Sequence, residues 1–189
     1  MAFDQRFIAT RLDRSARAIA ALAELSGVIE RIGLAARDCF TRGGTLYTCG
    51  NGGSAAEALH LAEELIGKYR RPRRPFPAVC LNADPTALTC IANDYGYESV
   101  FARQIEALGR AGDVLVGFST SGQSPNIARA FETARARNVT TIGLLGKDGG
   151  RCAALSDLAL IVPSPDTETI QECHQVVLHL ILEAVEAEL

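Results

Sequence analysis

The sequence predicts an α/β fold: a doubly wound, mostly parallel five-stranded sheet flanked by helices, with an N-terminal helical pair. Three observations predict it. Five short, nearly continuous apolar runs recur along the chain, at Leu46 to Cys49, Ala78 to Leu81, Asp113 to Ser119, Thr140 to Leu145 and Leu158 to Val162. Runs of that kind suit parallel strands buried on both faces. Helical stretches alternate with them, and that alternation is the signature of a doubly wound sheet. A glycine-rich turn follows the first run. Ligands of such sheets bind beyond the carboxyl ends of the strands, so the residues there are the candidates for chemistry.

Taken in order, residues 4 to 24 carry Ile8, Leu12, Ala16, Ile19 and Leu22 at a helical period. Residues 27 to 41 repeat it with Val28, Ile32, Ala35 and Cys39, and Gly43 and Gly44 end that helix. These two helices could wrap the chain's own sheet, but the sheet already has covering helices, so residues 1–42 are expected to serve an oligomer interface. Helices are expected at 54–67, 85–92, 98–109, 125–137, 149–155 and 167–188, with no internal repeat or long linker. The 189 residues read as a single domain.

Composition narrows the partners. Hydrophobic residues make up 48% and charged residues 22%, which supports a packed core. A net charge of −3 argues against nucleic acid as the partner. The absence of a long apolar run argues against a membrane span. The first residues mix acidic and basic side chains and lack a signal-peptide pattern, so a cytoplasmic location is expected. Six cysteines without a C-x-x-C pair, several of them in apolar runs, read as reduced thiols of the core or its edge.

The stretch from Thr45 to Gly67 reads as strand, glycine turn and helix. Gly50, Gly52 and Gly53 permit a positive φ and close approach of a ligand to the backbone. Ser54 stands where an N-cap belongs, and Glu57 gives it capping-box spacing. The unpaired N–H groups at such a helix start favour an anion such as phosphate; the plainer reading is a tight strand-to-helix turn. His60 and Glu64, at i and i+4, share one face of that helix. A second loop, Ser119-Thr120-Ser121-Gly122-Gln123-Ser124, follows the central run and precedes Pro125, a residue suited to a first helical position. Four hydroxyls exceed what one helix cap needs, so this loop is the stronger phosphate candidate.

Asn93-Asp94 reads either as a turn or as a polar pair for sugar hydroxyls. In the last helix, Gln171 and His179 lie about 80° apart around the axis and can face one cleft. His174 lies to the other side of Gln171, and a histidine satisfied by a carbonyl is its plainer reading. His60, Glu64, Gln171 and His179 together make a mixed nitrogen and oxygen donor set that zinc accepts. The basic stretch from Lys68 to Pro75 reads as a solvated loop, or as the source of one or two phosphate contacts.

These residues as a set, from Cys49-Gly-Asn-Gly-Gly-Ser to His60 and Glu64, then Asn93-Asp94-Tyr-Gly, Ser119-Thr-Ser-Gly, Ile170-Gln-Glu-Cys-His174 and His179, resemble the sugar isomerase (SIS) domain family. More narrowly they resemble its phosphoheptose isomerases, over essentially the whole chain. The resemblance implies a cytoplasmic homotetramer with active sites at subunit interfaces. It implies conversion of D-sedoheptulose 7-phosphate to D-glycero-D-manno-heptose 7-phosphate through an enediol, for heptose and lipopolysaccharide synthesis. It implies one zinc per subunit on His60, Glu64, Gln171 and His179. Substrate contacts are implied at Asn51, Gly52, Gly53, Ser54, Glu64, Asn93, Asp94, Ser119, Thr120, Ser121, Ser124 and Gln171. On this reading Glu64 is the catalytic base and His179 its acid partner. Two positions depart from the family's pattern: Glu168, where Asp is frequent, and Lys68, where Arg is frequent. A non-catalytic SIS regulator of the kind that binds DnaA, or a related sugar-phosphate isomerase or binder, is the alternative. Such regulators tend to lose the acid at the Glu64 position and the histidine at the His179 position, and this chain keeps both.

Overall fold

The computed structural model describes residues 3–187. Five strands form one parallel sheet in the order β2-β1-β3-β4-β5: β1 Leu46–Gly50, β2 Ala78–Cys80, β3 Val114–Ser119, β4 Thr140–Gly146 and β5 Leu158–Val162. Each lies within a residue or two of the run that predicts it. The central strands β1 and β3 are buried along their whole length, while the edge strands are buried only in part. A continuous apolar run at the centre of a parallel sheet is what two covered faces require.

The helices are α1 Gln5–Ala21, α2 Ser26–Thr41, α3 Gly53–Ile66, α4 Pro85–Tyr95, α5 Ala102–Leu108, α6 Pro125–Ala136, α7 Gly150–Leu155 and α8 Thr167–Glu186, with short 3-10 turns at Leu22–Leu25 and Tyr97–Ser99. The stretch expected as one helix over 98–109 divides between the second turn and α5. One face of the sheet packs against α2, α3 and α8 around Ile32, Leu61, Leu65, Val116, Val177 and Ile181. The other packs Leu115 of β3 against Phe101 at the start of α5, Ile105 of α5, and Ile127 and Phe131 of α6. Strand order reverses between β1 and β3, which places the turn after β1 and the loop after β3 side by side at the switch point.

Helix α1 begins at Asp4, whose carboxylate accepts from the Phe7 N–H at 2.8 Å. It buries none of its residues and is tied to α8 by Arg11–Glu172 at 2.7 Å and Arg14–Asp166 at 2.6 Å. Ile8, Leu12 and Ile19 stay exposed along it. An apolar groove runs beside it, lined by Ile19, Leu22, Ile29, Val176 and Leu180.

The basic segment after α3 is anchored rather than wholly solvated. Arg73 is nearly buried and donates to Glu186 at 2.9 Å, and to the carbonyls of Glu64 at 2.7 Å and Leu65 at 2.9 Å. It thereby closes the C-terminal turn of α3, where helix carbonyls lack intrahelical partners. Glu186 also accepts from the N–H groups of Tyr69 and Arg70. Burial pushes the Glu186 carboxyl up, but these bonds outweigh it and leave its pKa below the ordinary carboxylate value.

The six cysteines are all free thiols, five of them buried and Cys90 exposed. Burial pushes Cys39 and Cys152 up to about 11. A thiol that stays protonated at neutral pH is inert packing material, as the sequence suggests for most of the six.

Candidate active site

The glycine turn is built by close backbone approach. Gly52, at φ 57°, stands before the first residue of α3 in a conformation L side chains rarely adopt. A Cβ on Gly50 would lie 2.2 Å from the Ser54 carbonyl oxygen. Asn82 braces the turn from β2, accepting from the Gly50 N–H at 3.1 Å and donating to its carbonyl at 2.9 Å. The capping box expected at Ser54 is not formed. Gly52 is the N-cap, Ser54 lies inside the helix, and no side chain caps α3. The N–H groups of Ser54 and Ala55 bond back to the carbonyls of Asn51 and Gly52 at 3.0 Å, so what α3 offers an anion is the positive end of its dipole.

The serine loop lies next to it. Ser119 Oγ is 2.9 Å from Ser124 Oγ and 3.5 Å from Ser121 Oγ, and it accepts from the Gly122 N–H at 3.1 Å. Ser121 Oγ accepts from the Gln123 N–H at 3.1 Å. Three hydroxyls thus cluster at the start of α6, while Thr120 lies beside them half-buried. Gly122, at φ 64°, presses this loop against the turn before α7, where a Cβ would meet the Gly149 carbonyl at 2.2 Å. The two loops are joined by Asn51 and Asn126, whose amides exchange hydrogen bonds of 3.0 and 2.8 Å. Tyr97 donates to Asn51 at 3.1 Å. Asn126 and Tyr97 escape a sequence reading because their partner is far away in the chain. Asn93 and Asp94 are exposed on the last turn of α4, bonded to each other at 2.7 Å.

The second half of the site runs down α3 and α8. His60 Nε2 lies 3.6 Å from Glu64 Oε1. The His60 and His179 rings meet edge to face at 5.3 Å, and Tyr69 stacks on His179 at 5.6 Å. Burial lowers the His179 pKa below the ordinary histidine value, and the neighbouring His60 adds to that, against the pull of Glu64 and Glu183. A neutral imidazole at pH 7 is the form that ligates a metal or passes a proton. The Gln171 amide points up the groove to the glycine turn, where a Cβ on Gly53 would come within 2.4 Å of its nitrogen. Gln175, which carries no sequence signal, stands between the two rings at 2.6 Å from His60 Nδ1 and 3.4 Å from His179 Nε2.

His60, Glu64 and His179 therefore come together, with Glu63 beside them: His60, Glu63 and Glu64 offer donor atoms within 4.8 Å of one another. Imidazole nitrogens and carboxylate oxygens in a half-buried groove suit zinc. His60 lies seven residues beyond Gly53, so about 10 Å of helix separates the anion cradle from this cluster.

His174 turns away from the groove. It is fully buried, with Nε2 3.1 Å from the Leu145 carbonyl, the plainer of the two readings for it. Its Nδ1 faces Glu57 Oε2 at 3.9 Å. Glu57 thus packs between α3 and α8 instead of closing a cap.

The family model of the SIS domain matches residues 12–146. A phosphoheptose isomerase of Pelobacter propionicus is 52% identical over 149 residues, 79% of each chain. The chain belongs to the SIS domain family, among the phosphoheptose isomerases. Other relatives under that name include one from Citrifermentans bemidjiense, 49% identical over 166 residues, which are 88% of this chain and 86% of that one. The solved phosphoheptose isomerase of Neisseria gonorrhoeae superposes with a TM-score of 0.91 at 40% identity, covering 97% of this chain and 98% of that one. The one from Francisella tularensis gives 0.93 at 32% identity, covering 96% and 97%. No helix among the described residues is long and apolar enough to cross a membrane.

Proposed function

We propose that this phosphoheptose isomerase interconverts D-sedoheptulose 7-phosphate and D-glycero-D-manno-heptose 7-phosphate, in the cytoplasm and in the service of heptose and lipopolysaccharide synthesis. The observation that carries the reading is the separation of the anion cradle from the His60–Glu64–His179 cluster along α3. A 7-phosphate sugar carries its phosphate at one end and its reacting C1 and C2 at the other. The serine loop and the positive N-terminal end of α3 grip the phosphate, so remote binding energy positions the reacting carbons. Asn51, Gly52, Gly53, Ser54 and Gln171 line the way between, with Asn93 and Asp94 offered to the sugar hydroxyls.

Glu64 takes the proton from C1 of the ketose, and the C1–C2 bond becomes that of a cis-enediol. His179 supplies a proton to O2 and accepts the one leaving O1. Glu64 then returns its proton to C2, which leaves the aldose. His60, Glu64, Gln171 and His179 would hold one zinc per subunit. For that set Gln171 must swing from the glycine turn. Zinc bound there supplies Lewis-acid polarisation of the carbonyl oxygen and steadies enediolate charge. Glu64 as ligand competes with Glu64 as base. The unburied face of α1 and the groove beside it support a homotetramer with the N-terminal helices in its interface and the active sites at subunit boundaries, although α2 already packs Ile32, Ala36 and Phe40 into its own subunit's core.

An assay with sedoheptulose 7-phosphate, on protein stripped by a chelator and on protein reloaded with zinc, tests this. We expect aldose formation by the loaded protein and a large loss on stripping. Binding of the sugar phosphate without turnover in either state would make the protein a sugar-phosphate sensor instead.

A further inference from the structure

The Gln175 amide lies where two imidazole lone pairs converge. An amide nitrogen can only donate, so the His60 nitrogen that meets it accepts, and Nε2, 3.6 Å from Glu64 Oε1, is the ring's other nitrogen. Nδ1 faces Gln175 Nε2 at 2.6 Å. The same amide nitrogen lies 3.4 Å from His179 Nε2, one helical turn along α8. An amide NH2 has two hydrogens and can donate to both rings at once. The amide therefore links His60 to His179.

Zinc binds imidazole nitrogens at about 2.0–2.1 Å through a lone pair. A cation shared with Glu64 would use His60 Nε2, which carries a lone pair only in the tautomer whose Nδ1 can no longer accept from Gln175. A nitrogen 2.6 Å from His60 Nδ1 leaves no room for a cation on the same lone pair. We infer that Gln175 is a built-in competitor for the metal position: it keeps both rings aimed at one place and must be displaced before a cation binds there. Gln175 thus sets how tightly the site holds metal while keeping the metal-free groove ordered. An unpartnered pair of facing lone pairs would otherwise be left half-buried, at the usual cost of unmade hydrogen bonds. The inference rests on the proposed reading that this cluster takes zinc.

The test uses the full chain, with Gln175→Leu as an apolar replacement of similar size and Gln175→Met as a second variant should the first not fold. Zinc affinity is measured by competition with a chromogenic chelator. The loss of two competing hydrogen bonds should tighten zinc binding by about tenfold to a hundredfold. In metal-free protein, the imidazole 15N shifts of His60 and His179 should show one fixed tautomer each in the wild type and a tautomer mixture in the variant. Equal or weaker zinc binding by the variants, with wild-type binding intact, overturns the inference and leaves the metal reading standing. Failure of every protein to take up zinc overturns the metal reading and the inference with it.

Discussion

Glu64→Gln should fold normally, bind sugar phosphate at near wild-type concentration and turn over about 10²- to 10⁴-fold more slowly, the usual contribution of one positioned acid–base group. The substitution keeps the size and rotamers of the side chain and removes its charge, and with it the ability to take a proton or to ligate as a carboxylate. Glu64 stands on α3 beside His60, a helix turn beyond the groove's midpoint, and the anion cradle is at the other end of that helix. A loss confined to kcat is therefore expected, because the phosphate contacts are untouched. Steady-state rates of aldose formation, with zinc content measured on the same samples, separate the two roles of this carboxylate. A slow variant with full zinc content identifies a base; a slow variant that has lost zinc identifies a ligand. Wild-type turnover would remove Glu64 from the reaction.

The second large effect concerns stability. Glu186→Ala should destabilise the fold by about 3–5 kcal/mol, the range for stranding one partner of a buried ion pair. Arg73 would be left with backbone carbonyls and the face of Phe76 to meet its guanidinium charge. For a chain of this size the melting temperature should fall by roughly 10 °C. The pair also gives the acid limb of stability a definite sign. A carboxyl whose folded pKa lies below its unfolded value contributes stability that is present above the unfolded pKa, near 4.5. That contribution is lost as pH falls through the folded value. Glu186→Gln should flatten the wild-type loss of stability below about pH 4.5. Denaturant midpoints across that range read both effects, and a midpoint of Glu186→Ala equal to the wild type would show the pair to be dispensable.

The strands and helices were legible in the sequence because burial on two faces writes continuous apolar runs, and the alternation with helical periods fixes the order of elements. The motif residues were legible for a related reason: His60 and Glu64 are neighbours on one helix, and the serine loop is contiguous. The capping box was a fair local reading defeated by tertiary structure. Gly52 takes the cap position because the turn must double back tightly, and Glu57 is drawn inward toward His174. Residues whose partners lie far off in the chain left no local pattern. Asn126 answers Asn51, Asn82 braces Gly50, Arg73 reaches Glu186, and Gln175 reaches His60 from another helix. Each of them looks like an ordinary polar surface residue until the fold brings its partner up.

The central claim is that a carboxylate over the sugar moves a proton between C1 and C2. Its most direct test is proton NMR of the product formed in D2O. Proton transfer through Glu64 predicts deuterium at C2 of the aldose and solvent exchange at C1 of recovered ketose, both abolished in Glu64→Gln. Full conversion with the C1 hydrogen delivered to C2 and no solvent deuterium incorporated would mean a hydride shift, and would contradict the account.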